Sequence, residues 1–287
     1  TRHDRPMISL TDARARRTPV DWSQPVAPAP AKPGIHVFDD HDIDELRRYI
    51  DWQPFFNAWE MKGKYPDILN HPVSGDTARK LYDDAQAMLD RIVSERWLRA
   101  RGVAGFFPAG SVDDDIVVWA DDERAEVRAV IHQLRQQGEH REGVPNKSLA
   151  DFVAPHGSGV ADHLGAFAVS VGEGMRERVV AFKEEHDDYS AILLEALADR
   201  LAEAFAERLH EIVRTDLWAY APDESATPEE LLRERFTGIR PAPGYPACPD
   251  HTGKLALWEL LDVESRTGIT LTESMAMWPG ASVSGWY

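Results

Sequence analysis

The chain has 287 residues, a formal net charge of −17 at pH 7, and a hydrophobic content of 43% that includes nine tryptophans. This suffices for one large core or two modest ones, and the acidic balance argues against a nucleic-acid surface, which needs a basic face. A single cysteine cannot close an internal disulfide, no apolar run is long enough to cross a bilayer, and no signal-peptide pattern occurs, so the expected setting is a reducing cytoplasm without membrane insertion.

Residues 1–34 carry clustered arginines (Arg14, Arg16, Arg17) and then an alternating Ala-Pro stretch that ends at Gly34. Such composition predicts an interdomain linker or extended arm. The arginines offer a second use, wrapping a partner. A start at Thr1 without an initiator methionine suggests a piece of a longer protein. Asp44 to Tyr49 patterns as a short helix, followed by Asp51 ahead of Trp52, Pro54, Phe55 and Phe56. Asp51 suits a helix cap, and a carboxylate against aromatic faces also suits a bound cation. Lys62 and Lys64 flank Gly63, either as a solvated turn or as a contact for an acidic partner.

From Thr77 to about Leu98 the apolar residues Leu81, Ala85, Met88, Leu89 and Ile92 keep a helical period. Gly102 to Pro108 and Asp115 to Trp119 read as strands joined by a polar turn. Asp121 to Gln137 reads as a charged helix with Val127, Val130, Ile131 and Leu134 inward. Gly165 to Val171 is the clearest strand. The Gly172-Glu-Gly174 turn after it lacks the third glycine and the acidic residue of a dinucleotide fold. The longest helix runs from His186 to Trp218 on a stripe of Leu194, Leu197, Leu201, Phe205, Leu209 and Ile212. Glu203 and Glu207 lie off that stripe, one turn apart, as on a solvated face. Thr227 and Pro228 start a helix expected to reach about Arg235. Glu234 in its last turn opposes the helix dipole, which hints at another use. Lys254 to Thr267 reads as one amphipathic helix stopped by Gly268, with strands at Ile269–Glu273 and Ala281–Tyr287.

Between these elements lies Gly238-Ile-Arg-Pro-Ala-Pro-Gly-Tyr-Pro-Ala-Cys-Pro-Asp-His-Thr252. Prolines at this density forbid a helix or a central strand, so the backbone must run as a stiff loop turning at its glycines. Arg240 offers a planar fork for a carboxylate or phosphate. Cys248 and His251 are half of a zinc site without a second half. Cys248 reads as a packed thiol, with a nucleophile as the other option. No nucleophile-elbow, phosphate-loop or Asp-x-His-x-x-Gly corrinoid-ligating pattern occurs. No side chain is assigned as catalytic or as a metal ligand.

The loop resembles the signature of the activation domain of cobalamin-dependent methionine synthase. Further segments agree in order: Ile50-Asp-Trp-Gln-Pro-Phe-Phe56, Lys62-Gly-Lys-Tyr-Pro-Asp-Ile-Leu69, Ala150-Asp-Phe-Val-Ala-Pro155, Ala198-Asp-Arg-Leu-Ala-Glu-Ala-Phe-Ala-Glu207 and the stretch from Thr272 to Tyr287. The likeness covers roughly residues 35–287. It implies an α+β fold in one C-shaped domain, with a bent antiparallel or mixed sheet flanked by helices; pattern alone supports only mixed helices and strands. Residues 35–287 would form the S-adenosylmethionine-binding domain, cut short at its C-terminal end relative to the family.

Residue by residue, the resemblance implies that Arg240 pairs with the methionyl carboxylate, Asp51 meets the polar end of the ligand, and Glu203 and Glu234 lie near the sulfonium. Ala242 and Tyr245 would meet the adenosyl portion. It also implies cobalamin carried by a neighbouring domain of the same enzyme, and flavodoxin or a similar reductase as electron donor. Function would be reductive methylation of oxidised corrinoid, with positioning and electrostatics as this chain's share. Two other classes remain open on the residues: a corrinoid-protein docking module that uses no nucleotide, and a free-standing small-molecule methyltransferase.

Overall fold

The computed structural model describes residues 6–24, 28–231 and 233–287. A short helix α1 (Leu10–Ala15), capped by the Ser9 hydroxyl, precedes strand β1 (Gly34–His41). Helices α2 (Ile43–Leu46), α3 (Trp52–Ala58) and α4 (Gly75–Ser94) follow. Strands β2 (Arg99–Val112), β3 (Asp115–Trp119) and β4 (Val127–Ile131) form a meander, and β5 (Asp162–Glu173) returns beside β2. Next come α5 (Met175–Glu184), the long α6 (Asp188–Ile212) and the single turn α7 (Pro228–Leu231). The chain then forms α8 (Gly253–Leu261), α9 (Val263–Thr267), a small hairpin of β6 (Thr270–Leu271) and β7 (Met277–Trp278), and β8 (Ser282–Trp286).

The main sheet is antiparallel, ordered β4-β3-β2-β5-β8, with β1 also paired to β2. It is covered on both faces. The period-two alternation of β5 sends Phe167, Val169 and Val171 into one core with α4 and α6, and Leu164, Ala166 and Ala168 into a second core with α8 and α9. This α+β arrangement, an antiparallel sheet flanked by helices, agrees with the fold that the family resemblance implies. Helix α6 crosses one face of the sheet at close range. Phe205 is fully buried there, and a Cβ at Gly102 of β2 would come within 3.1 Å of its ring. Glycine at that position lets the helix lie this deep, which fixes where Glu203 and Glu207 emerge.

Several local expectations fail for identifiable reasons. Residues 121–137 are not a helix: β4 occupies their middle and pairs with β3, matching Ile131 to Ile116, both buried. Val127, Val130 and Leu134, expected inward, are exposed. An edge strand that shields Ile116 outweighs the helical propensity of a charged stretch. The helix expected over Lys254–Thr267 breaks at Asp262, whose φ of 50° reverses the chain between α8 and α9, and Leu255 faces solvent. The helix from Thr227 ends at Leu231 rather than near Arg235; Leu232 lies outside the described residues. Glu234 therefore sits in a turn, with φ 53°, and its supposed conflict with a helix dipole does not arise.

Residues 1–5 and 25–27 of the expected arm lie outside the described residues; much of the rest is exposed, but it is tied to the body at several points. Arg14 Nε donates to Asp114 at 2.7 Å and the Thr18 N–H to Asp151 at 3.1 Å. Trp218 Nε1 donates to the Pro28 carbonyl at 2.7 Å, and the Lys32 N–H to the Leu217 carbonyl at 2.8 Å. Beneath α1, the buried Arg135 bridges Asp114 and Asp151.

Candidate functional site

The proline-rich loop is stiff by covalent geometry and is then tied down. The Trp286 N–H of β8 donates to the Pro241 carbonyl at 2.9 Å, so the loop docks on the free edge of the sheet. A tight turn closes at its centre, with the Gly244 N–H on the Cys248 carbonyl at 2.8 Å and the Cys248 N–H on the Tyr245 carbonyl at 2.9 Å. Gly244 has φ +105°, a conformation that favours glycine. Gln136 Nε2 holds the Pro246 carbonyl from the far side at 3.0 Å.

Between this loop, α6 and the start of α3 lies a cleft of about 650 Å³, whose lining includes Tyr49, Asp51, Glu203, Glu207, Glu234 and Arg240. An adjoining lobe of about 450 Å³ shares Glu203, Glu234 and Arg240 and runs on past Ala242, Tyr245 and Met277. The structure thus gathers all six residues singled out in the sequence along one continuous groove, although they span positions 51 to 245. Asp51 fills two roles in position: its Oδ1 caps α3 by accepting the Gln53 N–H at 3.0 Å, and the residue also lines the cleft. Glu203 and Glu234 are exposed at the rim common to both lobes. Tyr245 is largely exposed beside the second lobe, and Ala242 half-buried.

Arg240 is paired within the protein. Its Nη2 donates to Glu207 Oε2 at 2.9 Å. Glu207 is buried, and that burial pushes its carboxyl above the usual carboxylate range despite the opposing pull of Arg240 and Arg214. Tyr49, at the other wall, donates to Glu211 at 2.6 Å, and burial followed by that hydrogen bond pushes its hydroxyl up to about 12. Lys254, in the second lobe, is buried and donates to the Met275 carbonyl at 2.8 Å; burial lowers its pKa. The groove therefore offers carboxylates and one fixed guanidinium, a charge pattern suited to a ligand that carries both signs.

The model of the vitamin B12 dependent methionine synthase activation domain matches residues 42–287. The chain belongs to this family. Among solved structures it is similar to the MetH reactivation domain bound to AdoHcy, at 53% sequence identity and a TM-score of 0.94, covering 98% of this chain and 86% of that one.

In this activation domain the sequence reading overlooks the partner of its own key arginine. Glu207 reads as a twin of Glu203 on a solvated face, yet Glu203 is exposed and Glu207 is buried against Arg240. A signal exists in the run Ala202, Ala204 and Ala206. Small residues flanking an apolar stripe widen the face that can pack, and all three are buried. Tyr49, Phe236, Lys147 and Arg200 also line the cleft without prior notice. Cys248 is buried, and burial pushes its thiol up to about 11, which keeps it neutral and removes it as a nucleophile. Among the described residues no three His, Cys, Asp or Glu side chains stand together as metal ligands.

Proposed function

We propose that this activation domain binds S-adenosylmethionine in the groove and presents its methyl group to a corrinoid carried by a neighbouring domain of a methionine synthase. Arg240 meets the methionyl carboxylate, Asp51 the polar end of the ligand, and Glu203 and Glu234 the sulfonium, with Ala242 and Tyr245 beside the adenosyl portion. A sulfonium is a permanent cation and favours nearby carboxylates, whereas an α-carboxylate favours a guanidinium fork. The methyl group leaves the sulfur for the corrinoid once an electron donor, flavodoxin or a similar reductase, has reduced the oxidised cobalt; S-adenosylhomocysteine remains. No side chain of this chain acts as nucleophile or base in that scheme. Its share is to bind, orient and balance charge. Residues 1–34 serve as the arm from an upstream domain and residues 35–287 as the binding domain. The setting is the cytoplasm; among the described residues no helix is long and apolar enough to cross a membrane.

The observation that carries this reading is a guanidinium, held by Glu207, that shares one groove with the carboxylates of Asp51, Glu203 and Glu234. The AdoHcy bound by the similar reactivation domain has the demethylated form of this ligand, which supports the same assignment. Calorimetric titration with S-adenosylmethionine tests it. The wild-type chain binds, and Arg240→Ala weakens binding by about tenfold or more, the worth of a hydrogen bond between charged groups. Absence of binding in the wild type, or equal binding by Arg240→Ala, overturns the assignment.

A further inference from the structure

Arg240 is held at both ends before any ligand arrives. Its backbone leads directly into Pro241, whose carbonyl is fixed by the Trp286 N–H at 2.9 Å. Its tip is fixed by Glu207 through Nη2 at 2.9 Å. The other terminal nitrogen, Nη1, is buried without a hydrogen-bond partner among the described residues, and so is the second oxygen of Glu207. A buried guanidinium donor is costly to leave unmatched, so Nη1 is a donor in want of an acceptor on a side chain that lines the cleft.

The surroundings leave Glu207 no other employment. Arg214, just past the end of α6 and the other cation whose charge acts on Glu207, is taken by Glu224, with Nη2 at 2.6 Å and Nε at 2.8 Å. His210, one turn on, is fully buried and makes no hydrogen bond through either ring nitrogen among the described residues. Glu203, one turn back on α6, is exposed toward the groove and has no cationic partner within the protein among the described residues. Consecutive turns of one helix, about 5.4 Å apart, thus carry two carboxylates with different tasks. One holds a protein cation, and the other is free to face a ligand cation. The methionyl tail places its sulfur four bonds from its carboxyl carbon, a comparable span.

We infer that Glu207 is the positioning residue of the groove: it aims the Arg240 guanidinium at the ligand's carboxylate, while Glu203 is left to the sulfonium. This rests on the binding reading given above. An arginine side chain carries substantial rotamer entropy, and fixing it in the unliganded protein removes that loss from the binding step. Glu207 touches Arg240 rather than the ligand, so its removal must act only on ligands that have a carboxylate for Arg240 to grip.

The test compares two ligands on the full chain by calorimetry: S-adenosylmethionine and its decarboxylated form, which keeps the sulfonium. Glu207→Met, close in volume but without an acceptor, weakens S-adenosylmethionine about tenfold and leaves the decarboxylated ligand unchanged. Glu207→Gln, which keeps an acceptor oxygen, recovers most of that loss. In an Arg240→Gln background, Glu207→Gln and Glu207→Met bind either ligand equally well, a readout that does not depend on how either single variant folds. Equal losses for both ligands in Glu207→Met mark a general structural role and overturn the inference, as does a Gln variant no better than Met. If the wild type binds both ligands and Glu207→Met alters neither, the groove reading stands and the role of Glu207 falls. If the wild type binds neither, both fall together.

Discussion

His210 gives the sharpest forecast of how stability depends on pH. It sits within α6 at 0% exposure, stacked on Tyr287 at 5.2 Å and edge-on to Phe236 at 4.9 Å. Burial, and then the positive charges of Arg214 and Arg240, push its pKa from 6.5 down to about 2. The folded value lies below the unfolded one. Between these two values the unfolded chain binds a proton that the folded chain refuses, so stability is complete above about pH 6.5 and declines as the pH falls toward 2. From pH 7 to pH 5 the linkage relation gives a loss of about 2 kcal/mol from this one ring. That is a sizeable part of the roughly 5–15 kcal/mol that holds an ordinary domain together.

Urea unfolding of the wild type and of His210→Phe at pH 5, 6 and 7 measures this term. Phenylalanine keeps the aromatic contacts and adds no titrating group, so its own packing cost is the same at each pH. Burial also lowers the pKa values of His41 and His163, but both remain in the variant and cancel in the difference. The wild type must lose about 2 kcal/mol more than His210→Phe between pH 7 and pH 5. Parallel stability curves would refute the reasoning, because a ring that titrates alike in folded and unfolded chains contributes no slope.

Two further outcomes follow from buried polar groups elsewhere. Arg135→Ala strips Asp114 and Asp151 of the guanidinium that reaches them at 2.7 and 2.6 Å, and breaking a buried ion pair from one side costs about 3–5 kcal/mol, measurable as a lowered urea midpoint. Cys248, buried and with its thiol pushed up to about 11, must resist a thiol reagent at pH 8 in the folded protein and react fully in denaturant; rapid labelling of the native chain would contradict the packing described.

What the sequence discloses depends on the range over which each feature is encoded. The apolar periods of α4 and α6 are local, and they suffice to place both helices within a few residues. The strand β4 is not local. Its Val127 and Val130 fall at helical spacing in a charged stretch, and only the pairing of Ile131 with Ile116 makes them part of an edge strand. The break at Asp262 depends on one left-handed residue that no period announces. The proline-rich loop declares its own stiffness and carries Arg240, and the ordered motifs around it bring Asp51 and Glu203 to attention; Glu234 lies outside those motifs and is placed at the site only through the family resemblance.

Glu203 and Glu207 show where this kind of reading stops. They are the same residue type, one turn apart, each preceded by an alanine, and nothing in that local pattern separates them. What separates them is a guanidinium 33 positions downstream, on a loop whose place is set by the Pro241 contact with β8. Burial of an acidic side chain is stable only beside a partner, and that partner here is supplied by the tertiary fold. A glutamate on a helix can therefore be assigned to solvent or to a site only once the element facing it is known. In this chain the facing element is the loop that also shapes the groove, so the buried glutamate and the candidate binding site are found by the same step.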